Sequence, residues 1–148
     1  MDMQSASKGG IARVRIPGAY LSSVQATSSI RLPAAYGVPR DLTEVLAVLG
    51  RHRLASSSPE NFRSSATEVF GIEAMTPAGE ADAPAIPTCI ARAKSVNLDG
   101  FVLFPATQAG GRLLALLLEP ESQFGPPRLP ELAETLRPGS TYPIIRVV

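Results

Sequence analysis

The sequence has no tryptophan, a single cysteine and only two lysines in its 148 residues. One cysteine, Cys89, excludes an intramolecular disulfide, and with it the class of small secreted domains that disulfides hold together. The longest apolar run, 113–118, is six residues long, whereas a transmembrane helix needs about 20. Residues 1–10 contain no apolar stretch of the kind that a signal peptide requires. We therefore expect a soluble protein, cytoplasmic or virion-associated, with no membrane partner; the Ser- and Arg-rich residues 1–35 leave the leader of a secreted effector as an alternative.

Charge of either sign is scarce as well. Charged residues make up 18% of the chain, and 14 Lys and Arg against 13 Asp and Glu leave a net charge of +1. This balance excludes a strongly basic nucleic-acid coat protein and an acidic solvating tail. No phosphate-binding loop and no dinucleotide-binding glycine motif occurs, so the sequence implies no cofactor.

Proline and glycine, by contrast, are abundant. Fourteen Pro and twelve Gly divide the chain into short elements and exclude a long helical bundle. A Pro- and Ala-rich stretch at 74–87 has no periodicity and predicts a loop or linker. We expect a flexible arm at 1–10 followed by a single domain at 11–148, with 74–87 as a possible boundary between 11–73 and 86–148.

Two segments carry strong helix signals. Asp41 and Glu44 have the spacing of a capping box, and Gly50 follows an apolar stripe, which predicts a helix over 41–49. Ser58 and Pro59 suit the start of a second helix and Gly71 its end, which predicts a helix over 59–70. A third helix is expected near 129–136, where leucines recur at helical spacing.

The remaining apolar segments alternate or are short and bounded by turns, which is typical of strands. They lie at 11–16, 20–32, 88–94, 101–105, 112–119 and 142–148. The sequence therefore predicts an α+β fold with a mostly antiparallel sheet and two short capped helices.

Cys89 and His52 are the residues that could support nucleophilic catalysis. A thiolate is a good nucleophile, and a neighbouring imidazole would lower its pKa and carry the proton. A bacterial secreted effector with a Cys89/His52 site is therefore one hypothesis. The alternative is that Cys89 fills a buried strand position and that His52 faces solvent, and whether the chain is an enzyme stays open, with the balance towards a non-enzymatic protein.

Three carboxylates are candidates for a metal site. Glu119 and Glu121 lie at i and i+2 at the end of a predicted strand, and Asp99 precedes a neighbouring strand. Oxygen ligands of this kind suit Mg²⁺. The lysine that usually accompanies such an arrangement in nucleases is missing, so solvated charges at a strand end are the simpler interpretation.

A nucleic-acid-binding protein is a further hypothesis. The two predicted helices in region 40–70 carry Arg40, Arg51, Arg53 and Arg63, as a helix-turn-helix would. The connector between the helices, at 50–57, is longer than the 3–4 residues usual in that motif. Nucleic acid is therefore possible but not favoured.

With these sites weak, the favoured hypothesis is a non-enzymatic interaction or assembly protein that binds a protein partner or itself, such as a structural subunit of a virion or a secretion system. Extended segments bounded by proline suit pairing between subunits. The candidate interface residues are basic and lie in the first predicted strand and in the connector after the first helix; they are Arg13, Arg15, Arg51, His52 and Arg53.

Overall fold

The computed structural model describes residues 29–77, 84–122 and 124–148, together with the backbone of residues 2–4 and 11–13. The chain divides into two units, Met1–Ile30 and Arg31–Val148. In the first unit, strand β1 (Asp2–Gln4) pairs antiparallel with β2 (Ile11–Arg13). This confirms the strand predicted at 11–16 over its first half. Arg15, most of the predicted arm at 1–10 and most of the predicted strand at 20–32 lie outside the described residues.

The second unit contains a five-stranded sheet. Its strands are β3 (Ala35–Pro39), β4 (Thr67–Thr76), β5 (Ile86–Ala93), β6 (Phe101–Pro105) and β7 (Ile145–Val147). The order is β5-β4-β7-β3-β6, and every neighbouring pair is antiparallel. Together with three helices, α1 (Thr43–Arg51), α2 (Gly111–Leu118) and α3 (Pro130–Ala133), this sheet confirms the α+β class and the mostly antiparallel pairing.

The sheet is covered on both faces. The three helices lie on one face, where their buried leucines and Val45 pack against the strand residues Tyr36, Val38, Phe70, Ile72 and Phe104. A smaller cluster covers the other face, where the short 3₁₀ turns Pro59–Phe62 and Leu98–Gly100 meet Ala35, Leu103, Ile145 and Val147. Because side chains alternate across a strand, β7 sends Ile145 and Val147 to this second face and Arg146 to the helix face.

Helix α1 confirms the helix predicted at 41–49, with a different cap. Asp41 makes no capping hydrogen bond; the backbone N–H groups of Glu44 and Val45 donate instead to the carboxylate of Glu131, at 2.9 and 3.2 Å. A carboxylate suits this position because the N-terminal end of a helix carries partial positive charge. The cap therefore comes from α3, 87 residues further along the chain, where no local pattern could indicate it.

The helix predicted at 59–70 is wrong. Ser58 does cap a turn, accepting a hydrogen bond from the backbone N–H of Glu60, but the turn ends at Phe62 and β4 begins at Thr67. The apolar residues that suggested a helical stripe also fit a strand with two buried faces. Val69 packs in the smaller cluster and Phe70 against the helices, so long-range pairing with β5 and β7 decides the conformation.

The strand predicted at 112–119 is also wrong, since these residues form α2. Leucine and alanine favour a helix and the run contains no β-branched residue. The helix starts directly after β6, where Gly111 lies so close to the chain that a Cβ there would be 1.8 Å from the Ala106 carbonyl oxygen. Only glycine fits this turn.

The other elements follow the predictions with shifted ends. The strand predicted at 101–105 matches β6, those at 88–94 and 142–148 become β5 and β7, and the helix expected near 129–136 is shortened to α3. Strands β4 and β5 pair from Glu68–Ala93 to Thr76–Ile86, so the predicted loop at 74–87 joins two strands of one sheet. No helix in the described part of the chain is long and apolar enough to cross a membrane.

Candidate interaction surface

The environment of Cys89 disfavours a thiolate. Cys89 lies in the middle of β5, the edge strand of the sheet, and its backbone N–H donates to the Glu121 carboxylate at 2.9 Å. Burial, followed by the charges of Glu121 and Glu119, raises the pKa of the thiol to about 11. A nucleophilic cysteine needs the opposite shift.

His52 does not contact Cys89. It follows α1 on an exposed turn, where its backbone N–H donates to the Val48 carbonyl at 3.2 Å. Its neighbours Arg51 and Arg53 are exposed as well, and Arg53 has a left-handed backbone with φ of 56°. The basic connector is thus a solvent-facing turn, and its role as an interface stays a prediction, as does that of Arg13, whose backbone lies in β2.

The three candidate carboxylates do not converge. Asp99 lies beside a depression of 670 Å³ between the chain at 59–67 and the loop at 93–99, and Glu121 faces the edge of β5. Glu119 is buried in an ion pair. Among the described residues, no group of three His, Cys, Asp or Glu side chains could hold a metal ion.

Glu119 belongs to a buried polar cluster between α2 and the sheet. Its carboxylate accepts hydrogen bonds from Nε of Arg146, at 2.9 Å, from Nη2 of the same residue, and from the Tyr36 hydroxyl. The Arg146 guanidinium also lies 4.7 Å from the centre of the Phe70 ring and 3.6 Å from Glu68. Burial, and then the hydrogen bond to Glu119, raises the pKa of Tyr36. The Glu119 carboxylate, the Arg146 guanidinium and the Tyr36 hydroxyl all have hydrogen-bond partners within the cluster. The cluster therefore holds the end of α2 against the sheet and offers no reactive group.

The segment after α2 presents an aromatic side chain to solvent. Phe124 is 69% exposed, more than any other large apolar residue in the described part of the chain. The Ser122 hydroxyl donates to the Leu116 carbonyl at 2.5 Å and accepts from the backbone N–H of Phe124 at 3.3 Å. On the other side, Gly125 lies so close to the end of α2 that a Cβ there would be 2.4 Å from the Leu117 carbonyl oxygen. The side chain of Phe124 is therefore exposed, while its backbone is restrained by Ser122 and is followed by a close contact of Gly125 with α2.

Helix α2 adds further apolar surface next to this residue. Leu114 and Leu118 are buried, while Leu116, on the opposite side of the helix, is 50% exposed. Arg112, one turn before Leu116, is exposed and makes no hydrogen bond or ion pair with any described residue. We call Arg112, Leu116, Glu121 and Phe124 the α2 surface.

Little in the sequence indicates this surface. The apolar pattern of 112–119 predicts a buried strand, in which Leu116 would be hidden, and 124–127 indicates only a rigid loop. The second helix of the predicted helix-turn-helix does not form, because residues 67–76 are a strand.

Comparisons with known protein families, with curated proteins and with solved structures found no match for this chain.

Proposed function

We propose that this chain is a non-enzymatic interaction protein that binds a protein partner through the α2 surface. Phe124 carries the proposal, because its ring is 69% exposed while its backbone N–H is held by the Ser122 hydroxyl. An exposed aromatic costs solvation free energy, and burying a Phe side chain recovers about 1.5–3 kcal/mol. Rigid aromatic side chains are also the usual anchors of protein interfaces.

The hydrogen bonds around Phe124 support a binding role for a second reason. An interface loses affinity when binding must first immobilise its side chains. The backbone of Phe124 is already restrained by Ser122 and by the close contact of Gly125 with α2. A partner would therefore meet a backbone that needs little reordering at Phe124.

The electrostatics of Cys89 support the non-enzymatic part of the proposal, since burial and two carboxylates hold its thiol protonated at neutral pH. Assembly into a larger structure, such as a virion or a secretion system, is the setting that we favour for such a chain. In that setting the exposed basic connector at residues 51–53 would offer a second contact surface.

Site-specific photocrosslinking tests the proposal. A benzophenone amino acid replaces Phe124, or Ser95 as an exposed control position outside both proposed contact surfaces, in cells that produce the protein. We expect a discrete protein adduct from position 124 that disappears when Leu116→Asp is added, and none from position 95. The absence of a discrete adduct at position 124, or an adduct indifferent to Leu116→Asp, would refute the proposal.

A further inference from the structure

Building on the proposed function, we infer that the partner is a second copy of this chain, related by a two-fold axis that places the two α2 helices side by side and antiparallel, with Arg112 of each copy facing Glu121 of the other.

The charges at the ends of the α2 surface carry this inference. Arg112 lies in the first turn of α2, and Glu121 follows the last residue of the helix by three positions. Both are exposed, with the apolar Leu116 between them in sequence. A surface with positive charge at one end and negative charge at the other is complementary to its own reversed copy. A two-fold axis supplies this reversal, because it brings the same patch of both subunits together.

The dimensions agree with this arrangement. Eight helical residues span about 12 Å, and in an antiparallel pair centred on Leu116 the first turn of one helix lies beside the turn at 119–121 that follows the other helix. Arg112 then lies next to Glu121 of the second copy, twice across the interface. Leu116 of each copy meets its equivalent at the centre, where apolar contact excludes water.

The state of the two charged groups also fits. One oxygen of Glu121 accepts the Cys89 N–H at 2.9 Å, which fixes the carboxylate, while the other oxygen has no partner among the described residues. Arg112 is unpaired within the same part of the chain. A guanidinium forms its best contacts with a carboxylate whose orientation is already set.

Complementary charge reversal tests this geometry. Homodimers of Arg112→Glu would place two carboxylates together at each end of the interface, and homodimers of Glu121→Arg would place two guanidinium groups together at each end. An equimolar mixture of the two variants, however, can form a heterodimer with two attractive pairs. By sedimentation equilibrium we expect the unmodified chain to dimerise, each variant to dimerise at least tenfold more weakly, and the mixture to recover an affinity within about threefold of the unmodified chain.

Controls keep the test decisive. Arg137→Glu makes the same charge change at an exposed residue outside the α2 surface and should leave dimerisation unchanged. Far-UV circular dichroism verifies that each variant is folded; if either charge variant is not, Leu116→Asp, at a half-exposed position, replaces it and should give a monomer. A folded mixture that stays monomeric, or a folded Leu116→Asp chain that still dimerises, overturns the inference.

The outcome separates the two proposals. An unmodified chain that remains monomeric at millimolar concentration, while position 124 crosslinks to a different protein, overturns self-association and leaves the interaction role in place. No crosslink at position 124 and no dimer together overturn both.

Discussion

The buried ion pair between Glu119 and Arg146 should be the most sensitive polar contact of the second unit. We consider Arg146→Met, which keeps an unbranched apolar stem over the Phe70 ring and removes the charge. The side chains of Arg146 and Glu119 are 15% and 9% exposed. After the substitution, the Glu119 carboxylate retains only the Tyr36 hydroxyl as a partner.

The size of the effect follows from this loss. Breaking a buried pair by removing one partner costs about 3–5 kcal/mol, because the other charge stays buried without compensation. Since Arg146 is partly accessible to water, we expect the lower end, about 3 kcal/mol. Glu119→Leu should cost a similar amount, as it leaves Arg146 with Glu68 alone. The double variant removes both charges, so its cost should fall below the sum of the two by about 2 kcal/mol or more.

Urea denaturation followed by circular dichroism measures these free energies of unfolding, and an unchanged m-value shows that the same surface unfolds in each variant. Arg63→Met is the matched control, because Arg63 and its partner Glu60 are both 72% exposed and such pairs contribute less than about 1 kcal/mol. Additive costs in the double variant, within about 0.5 kcal/mol, would refute the view that the two charges depend on each other.

Three further predictions concern the sheet and the helices. Burial raises the pKa of Tyr142 well above its ordinary value, so above about pH 10 the unfolded chain loses a proton that the folded chain keeps. The free energy of unfolding should then fall by about 1.4 kcal/mol per pH unit, and Tyr142→Phe should remove that part of the slope in urea titrations at pH 9–12. Glu131→Ala should lower the free energy of unfolding by about 1–2 kcal/mol in the same assay, because it removes the cap of α1. Glu134→Ala, at an exposed position, should change the free energy of unfolding by no more than about 0.5 kcal/mol. Equal losses for the two variants would contradict the capping role of Glu131. Gly50→Ala should raise the free energy of unfolding by up to about 1 kcal/mol, because the site is helical and open. Gly111→Ala should lower the free energy of unfolding by about 3 kcal/mol, because its methyl group would overlap a backbone carbonyl. A Gly111→Ala protein as stable as the unmodified chain would contradict the geometry of that turn.

Local patterns in the sequence predicted the elements whose signals are local. Helix α1 has an apolar stripe at helical spacing, and β6 is bounded by turn residues on both sides, so both were predicted. The apolar residues of 59–70 suit a buried strand as well as a helix, and tertiary contacts that a single sequence does not display decide between the two. The run 112–119 is also ambiguous by its apolar pattern alone, but its leucine and alanine composition, without a β-branched residue, is a local signal for the helix that forms.

The same distinction applies to the candidate site. The sequence offers Cys89 and His52 as a candidate nucleophile and base because they are its single cysteine and single histidine. The α2 surface can be identified only in the three-dimensional structure, because in the sequence Leu116 and Phe124 resemble core residues. In the structure, Leu116 lies on the solvent side of α2 and Phe124 lies in the exposed turn before Gly125.

The hydrogen bond from Cys89 to Glu121 has a consequence for aggregation. On the outer edge of β5, the ladder positions alternate through Pro87, Cys89, Ala91 and Ala93. Pro87 has no N–H, and the N–H of Cys89 is already occupied, so an incoming strand could receive donors from only the last two. Sheet edges that offer so few free donors resist the addition of further strands. The sheet can therefore keep its β5 edge open while offering few free donors to an incoming strand.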